Sequence, residues 1–190
     1  MQGSGIDSEL NTNGQRQAAQ FFNAYKHIPF AQIYTSTLKR THQTIEPFIK
    51  NGFKQHVQVP EFDEINWGIM EGLEPTEEAS RNFKDILKQW QSGNLDTAVK
   101  NGETPLQLFS RQQTGLQRLE QSWPGSPILI CMHGRAMRSF LCLLTGHPLQ
   151  NMDDFEHSNV CLYRLQKNEE ELHYQVQLRN CTMHLEFDLR

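Results

Sequence analysis

The stretch Pro127-Ile128-Leu129-Ile130-Cys131-Met132-His133-Gly134-Arg135 decides how this chain folds. Apolar residues run without a break from Pro127 to Met132, with Pro124, Gly125 and Ser126 before them and Gly134 just after. A short apolar run bounded by turn residues reads as a central parallel strand covered on both faces, because such a strand has no solvent side on which polar residues could alternate. The next apolar residues, Met137, Phe140, Leu141 and Leu144, fall at helical spacing, and Gly146 and Pro148 supply the stop. A strand that passes directly into a helix is the repeating unit of an α/β protein.

Upstream, Thr104, Pro105 and Gln107 combine an N-cap, a proline at the first helical position and a capping-box partner. They predict a helix burying Phe109, Leu116 and Leu119 and ending at Pro124 and Gly125. Further back, Asn11 or Thr12 caps a helix through Gln15 whose face is Ala18, Phe21, Phe22 and Tyr25. Ala31 to Thr35 reads as a short buried strand, and Leu38, Ile45, Phe48 and Ile49 as the face of a helix closed by Asn51 and Gly52. Val57 to Phe62 is expected as a second strand, and Val160 to Leu165 and Leu172 to Leu178 as strands finishing the sheet. The polar stretch from Leu73 to Gly102 keeps Ala79, Phe83, Ile86, Leu87 and Trp90 at helical spacing, so it is expected outside the sheet as a cover over about 73–104 that could act as a lid. Strands alternating with helices imply a mostly parallel sheet in a three-layer α/β/α arrangement, read as one domain over 1–190.

Composition narrows the function classes. Apolar residues make up 37% and charged residues 21%, which describes an ordinary globular chain rather than a disordered one. A formal net charge of -4 offers no basic face for nucleic acid. No apolar run approaches the ~20 residues that cross a bilayer, and the N-terminus lacks a basic and then apolar leader. The cysteines, at 131, 142, 161 and 181, are spaced as neither a zinc ribbon nor a redox pair, so they read as thiols of a reducing cytoplasm.

In α/β folds the ligand lies beyond the carboxyl ends of the strands. The turn Tyr34-Thr35-Ser36-Thr37-Leu38-Lys39-Arg40 puts a guanidinium in the first turn of a helix beside free amides, a combination suited to an oxyanion; the bland alternative is a surface ion pair. His133 leaves the apolar strand just before a helix N-terminus, where an imidazole can donate to an anion or exchange protons, though most histidines are satisfied structural groups. Glu64, in Glu64-Ile65-Asn66-Trp67-Gly68, has apolar neighbours that would raise its pKa and make it a proton donor. Its neighbours Glu61, Asp63 and Glu71 read instead as turn-capping carboxylates.

These residues resemble the histidine phosphatases of the phosphoglycerate mutase-like superfamily. Ser36, Leu38, Arg40, Gln43 and Thr44 are similar to the family's Ser-x-x-x-Arg-x-x-x-Thr element, and Glu64 with Gly68, Glu71 and Gly72 to its acid segment. His133-Gly134 is similar to the second catalytic His-Gly, and Gln2, Gly3, Asp7, Leu10, Gly14, Gln17 and Ala18 to the segment after the nucleophile loop. Gly102-Glu103-Thr104 and Asn159 match later landmarks, so the resemblance runs in order over nearly the whole chain.

The resemblance implies a phosphoglycerate mutase-like fold and phosphomonoester hydrolysis through a phosphohistidine, with no metal and no cofactor, on a small phosphorylated substrate. Arg40 and His133 would hold the phosphoryl group, Glu64 would serve as acid and base, and Gly3, Ser4, Gly5, Ser36 and Gly134 would border the pocket. The family's Arg-His-Gly strand has no counterpart: none of the histidines follows an arginine, and Met1 falls past that loop. The nucleophile, one phosphate-binding arginine and the first central strand are therefore expected to be missing. An inactive chain is the consequence, either because the natural protein starts upstream of an internal methionine or because it is a non-catalytic phosphate-ligand or partner-binding protein. Mutase-type phosphotransfer is the other enzymatic reading. A gap in the sheet would leave orphaned backbone groups at about 1–3 kcal/mol each, so low stability, or a homodimer or strand exchange that fills the gap, is expected.

Overall fold

The computed structural model describes residues 2–53, 56–74, 76–167 and 170–185; Met1 lies outside them. The layers follow from the strand β1, Gln32–Thr35, whose residues are all buried and point alternately to opposite sides. Ile33 packs with Phe21, Ile45, Phe48 and Leu129, beneath the helices α1 (Thr12–Tyr25) and α2 (Lys39–Lys50). Tyr34 packs the other way, with Phe62, Leu119 and Phe140. That second face is covered by α4 (Pro105–Gln121) and α5 (Gly134–Thr145), which completes a three-layer α/β/α architecture. The cover helix α3 (Glu77–Gln91) lies over a further cluster of Ile65, Trp67, Trp90, Leu108 and Ala136. Among the described residues no helix is long and apolar enough to cross a membrane.

Local signals set the helix ends. Asn11 caps α1 by accepting from the Gly14 amide at 2.9 Å. Thr104 and Gln107 form the reciprocal capping box of α4. Gly146 closes α5 with φ of 68°, a left-handed conformation that costs glycine no steric strain.

The sheet departs from the sequence reading. β1 pairs in parallel with β2 (His56–Gln58) on one side and β3 (Ile128–Cys131) on the other, giving the order β2-β1-β3. β4 (Leu162–Gln166) and β5 (Gln175–Cys181) do not finish this sheet; they form a separate antiparallel pair. β3 is therefore an edge strand and not a central one, although both its faces are covered, Leu129 and Cys131 packing with the α1/α2 core and Ile128 and Ile130 on the α4/α5 side. Among the described residues it has no second strand partner, and Ile128, Ile130 and Cys131 are only half-buried. The hairpin nevertheless continues both layers: Val160 and Leu162 pack with the α1/α2 core, while Tyr163, Leu165 and Val176 pack on Leu141 and Phe155 on the α5 side. The result is a seam between β3 and β4, crossed by side chains but by no ladder.

Smaller corrections have local causes. The expected strand from Val57 to Phe62 stops at Gln58, because Pro60 has no amide to give a ladder and starts a 3-10 turn over Pro60–Phe62. Leu108, fully buried, takes the central place expected of Phe109, and Ile49 stands 38% exposed at the open end of α2.

Candidate active site

The carboxyl ends of β1 and β3 lie side by side, with Thr35 opposite Cys131. This register brings the turn after β1 against the turn after β3, and Arg40 meets His133 there. Arg40 Nε donates to His133 Nδ1 at 3.0 Å. Because Nδ1 accepts, the ring proton sits on Nε2, which lies 2.7 Å from Ser36 Oγ and donates to it. Ser36 is fully buried and held in turn by Thr41 and the Leu38 amide. Among the described residues the guanidinium pairs directly with no carboxylate; its other bonds run to the carbonyls of Ile6 (2.7 Å) and Gly3 (3.2 Å). Burial pushes the His133 imidazole down to about 3, aided by the positive charges of Arg40 and Arg111 and by His157. A second proton would face the Arg40 donor head-on, so His133 is neutral at physiological pH.

Glu64 is buried under the start of α5. Its Oε1 accepts from the amides of Ile65 (3.0 Å) and Ala136 (2.8 Å), and its Oε2 from that of Arg135 (3.1 Å). Arg135 and Ala136 are in the first turn of α5, so the carboxyl occupies the positive end of the helix that His133 caps. Burial raises the Glu64 pKa, opposed by these three amides and by the Arg135 charge. The two effects give a carboxyl group that keeps its proton longer than a surface glutamate and is anchored in one orientation, the properties of a positioned acid.

Gly3 and Gly5 lie over the Glu71 carboxylate, which also accepts from the Trp67 amide at 2.8 Å. A β-carbon at Gly3 would run into that carboxylate and the Ile65 carbonyl. Ser4 donates its amide to the same carbonyl. Gly134 supports the His157 ring, 3.2 Å from where a β-carbon would stand. Glu61, Asp63 and Glu71 are engaged with Arg118, with the Thr37 amide and hydroxyl, and with the Trp67 amide, respectively.

Three residues at this site carried no role in the sequence reading. Arg135 is buried, bonds Asp153 at 2.6 Å and lies over the Trp90 ring of α3. His157 packs on Gly134 next to His133. Arg111 grips the backbone around Glu64. A signal for Arg111 was present: Leu108, Arg111, Gln112 and Gly115 follow i, i+3, i+4, i+7 spacing, placing an arginine on the inward face of α4.

The family model for the histidine phosphatase superfamily (branch 1) matches residues 1–181. The uncharacterized phosphatase PhoE of Bacillus subtilis (strain 168) is 28% identical over 94% of this chain and 85% of its own length. Phosphoglycerate mutase-like protein 4 of Arabidopsis thaliana is 30% identical over 70% of this chain and 59% of its own length. Among solved structures, mycobacterial glucosyl-3-phosphoglycerate phosphatase in complex with inorganic phosphate superposes with a TM-score of 0.84 at 19% identity, over 97% of this chain and 92% of that one. That likeness carries the three-layer phosphoglycerate mutase-like fold. With the family model spanning both β-to-α turns and the acid segment between them, this chain belongs to the histidine phosphatase superfamily.

Proposed function

We propose that the protein acts as a metal-independent phosphomonoesterase on a small phosphorylated substrate, with Arg40 and His133 holding the phosphoryl group and Glu64 acting as acid and base. The observation that carries this reading is the 3.0 Å contact between Arg40 and His133 at the mouth of the β1/β3 turns, next to the helix start that holds Glu64. A guanidinium and a neutral Nε2–H donor, once released from Ser36 Oγ, match the charge that develops on the equatorial oxygens of a transferring phosphoryl group. Glu64 then protonates the leaving alcohol and deprotonates the water that cleaves the phosphoenzyme. Gly3, Ser4, Gly5, Ser36 and Gly134 border the pocket, and the cover over about 73–104 sets selectivity.

The attacking histidine comes from an Arg-His-Gly segment outside these 190 residues. The seam between β3 and β4 is where its strand would pair, and a homodimer or strand exchange is the alternative filling. The protein works in the cytoplasm. Mutase-type transfer is disfavoured, since that chemistry must shield the phosphoenzyme from water and the polar cover offers no evident device for it.

One observation favours the non-catalytic reading. Three of the five Arg40 N–H donors go to His133 and two main-chain carbonyls, and the His133 Nε2–H goes to Ser36, so a phosphate must displace protein contacts to use these donors. Hydrolysis of p-nitrophenyl phosphate separates the readings. The 190-residue chain is expected to be inactive and to gain activity when an upstream Arg-His-Gly segment is added. If the extended protein never takes phosphate onto histidine, the binding-protein reading replaces this one.

A further inference from the structure

Arg111 projects from α4 into the irregular segment that carries Glu64. Its Nε and Nη2 donate to the two Glu103 carboxylate oxygens at 2.6 and 3.0 Å. Its remaining bonds go to main chain: Nη1 to the Glu61 carbonyl at 2.8 Å, and Nη2 to the carbonyls of Asp63 at 2.9 Å and Glu64 at 3.1 Å. Glu103 extends the grip, accepting from the Asn66 amide at 3.3 Å while its own amide donates to the Asn66 carbonyl at 2.8 Å. One ion pair thus fastens the backbone from 61 to 66.

After the turn at Pro60–Phe62 this segment has no ladder or helix until Gly68, so its carbonyls need side-chain donors. A planar guanidinium serves several at fixed spacing, which a lysine ammonium cannot do. The Glu64 backbone is held by Arg111 and its carboxyl by the α5 amides. A site tolerates errors of only about 0.5 Å in such a group, so an anchor on the backbone end carries through to the acid.

We infer that Arg111, braced by Glu103, is a positioning residue that fixes the Glu64 carboxyl against the start of α5, the helix whose N-cap is His133. This deepens the reading of Glu64 as the acid and rests on it.

The test follows the Glu64 carboxyl carbon and the His133 ring nitrogens by NMR through a pH titration of the full chain. Arg111→Lys keeps the charge and loses the fork. Glu64 is expected to titrate lower, and His133 at least about one unit above its value of about 3, because the close burial that displaces both is loosened. Arg118→Gln is the control: it removes an α4 ion pair to the Glu61 side chain and leaves the carbonyl grip intact, so both titrations should stay in place. If Arg111→Lys lowers the melting temperature while Glu64 and His133 titrate as in the parent, Arg111 is a fold brace and the inference is overturned. Should that variant fail to fold, Glu103→Gln decides by the same two titrations, with a shift supporting the role and unshifted curves removing it. No substrate is involved. Shifted titrations beside an extended protein that never turns over would retire the phosphatase reading alone, and unshifted ones beside an active enzyme would retire the positioning role alone.

Discussion

The acid segment and the β3/β4 seam are both built from irregular or short elements, yet they are held in opposite ways. Around Glu64, backbone groups are met by Arg111, Glu103 and the first amides of α5, and Ile65 and Leu108 are fully buried beside them. At the seam, β3 is half-buried, and Val160 and Leu162 reach across from a hairpin that makes no ladder with it. The contrast teaches that site geometry here depends on side-chain-to-backbone bonds and does not require a continuous sheet. The β1/β3 register brings Arg40 to His133, and the Ile6 and Gly3 carbonyls hold the guanidinium there.

The largest expected effect is on packing beside Glu64. Leu108→Ala should cost about 2–5 kcal/mol by urea denaturation, whereas Leu162→Ala at the seam should cost about 1 kcal/mol, because its cavity can collapse toward open space. Equal losses would break the comparison.

Acid should reveal the buried histidine next. His133 binds its proton near 6.5 when unfolded and near 3 when folded, so the unfolded state holds more protons in between. Stability present above pH 6.5 is therefore lost as the pH falls toward 3, on the order of 1 kcal/mol per unit. Urea midpoints at pH 7, 5 and 4 should fall less steeply for His133→Gln, and parallel curves would contradict the buried neutral imidazole.

Hydrogen exchange sharpens the seam. Pro127 and Cys131 give their carbonyls toward the β1 side, so strand alternation turns the amides of Ile128 and Ile130 toward the seam. These two should exchange at least about tenfold faster than those of Leu129 and Cys131. Protection that grows with protein concentration would instead mean that a second copy fills the seam. At the small end, Thr104→Ala removes one half of the capping box and should cost about 1 kcal/mol, read from the thermal midpoint.

Much of this was legible in the sequence because it is local. Asn11, Thr104 and Gly146 mark helix ends by chemistry confined to a few neighbouring residues, and the apolar run at 127–132 marks a strand. The split sheet was not legible, since periodicity reports which face a residue turns inward and says nothing of which edge finds a partner. Ser36, Arg40 and His133 meet across more than ninety residues, a juxtaposition that motif order implied and residue spacing could not. Helical spacing put Arg111 on the inward face of α4 and Glu103 eight residues before it, but its other partners, Glu61, Asp63 and Glu64, are about fifty residues away and are contacted through their backbone, which no side-chain pattern records.

Phosphate binding decides whether Arg40 and His133 together receive a phosphoryl group. Titrating the chain with inorganic phosphate while following the His133 ring nitrogens tests this directly. Phosphate should draw Arg40 away from Nδ1 and shift both nitrogen signals, and Arg40→Gln should weaken binding at least about tenfold. Signals that stay fixed at saturating phosphate, with the same affinity in Arg40→Gln, would contradict it.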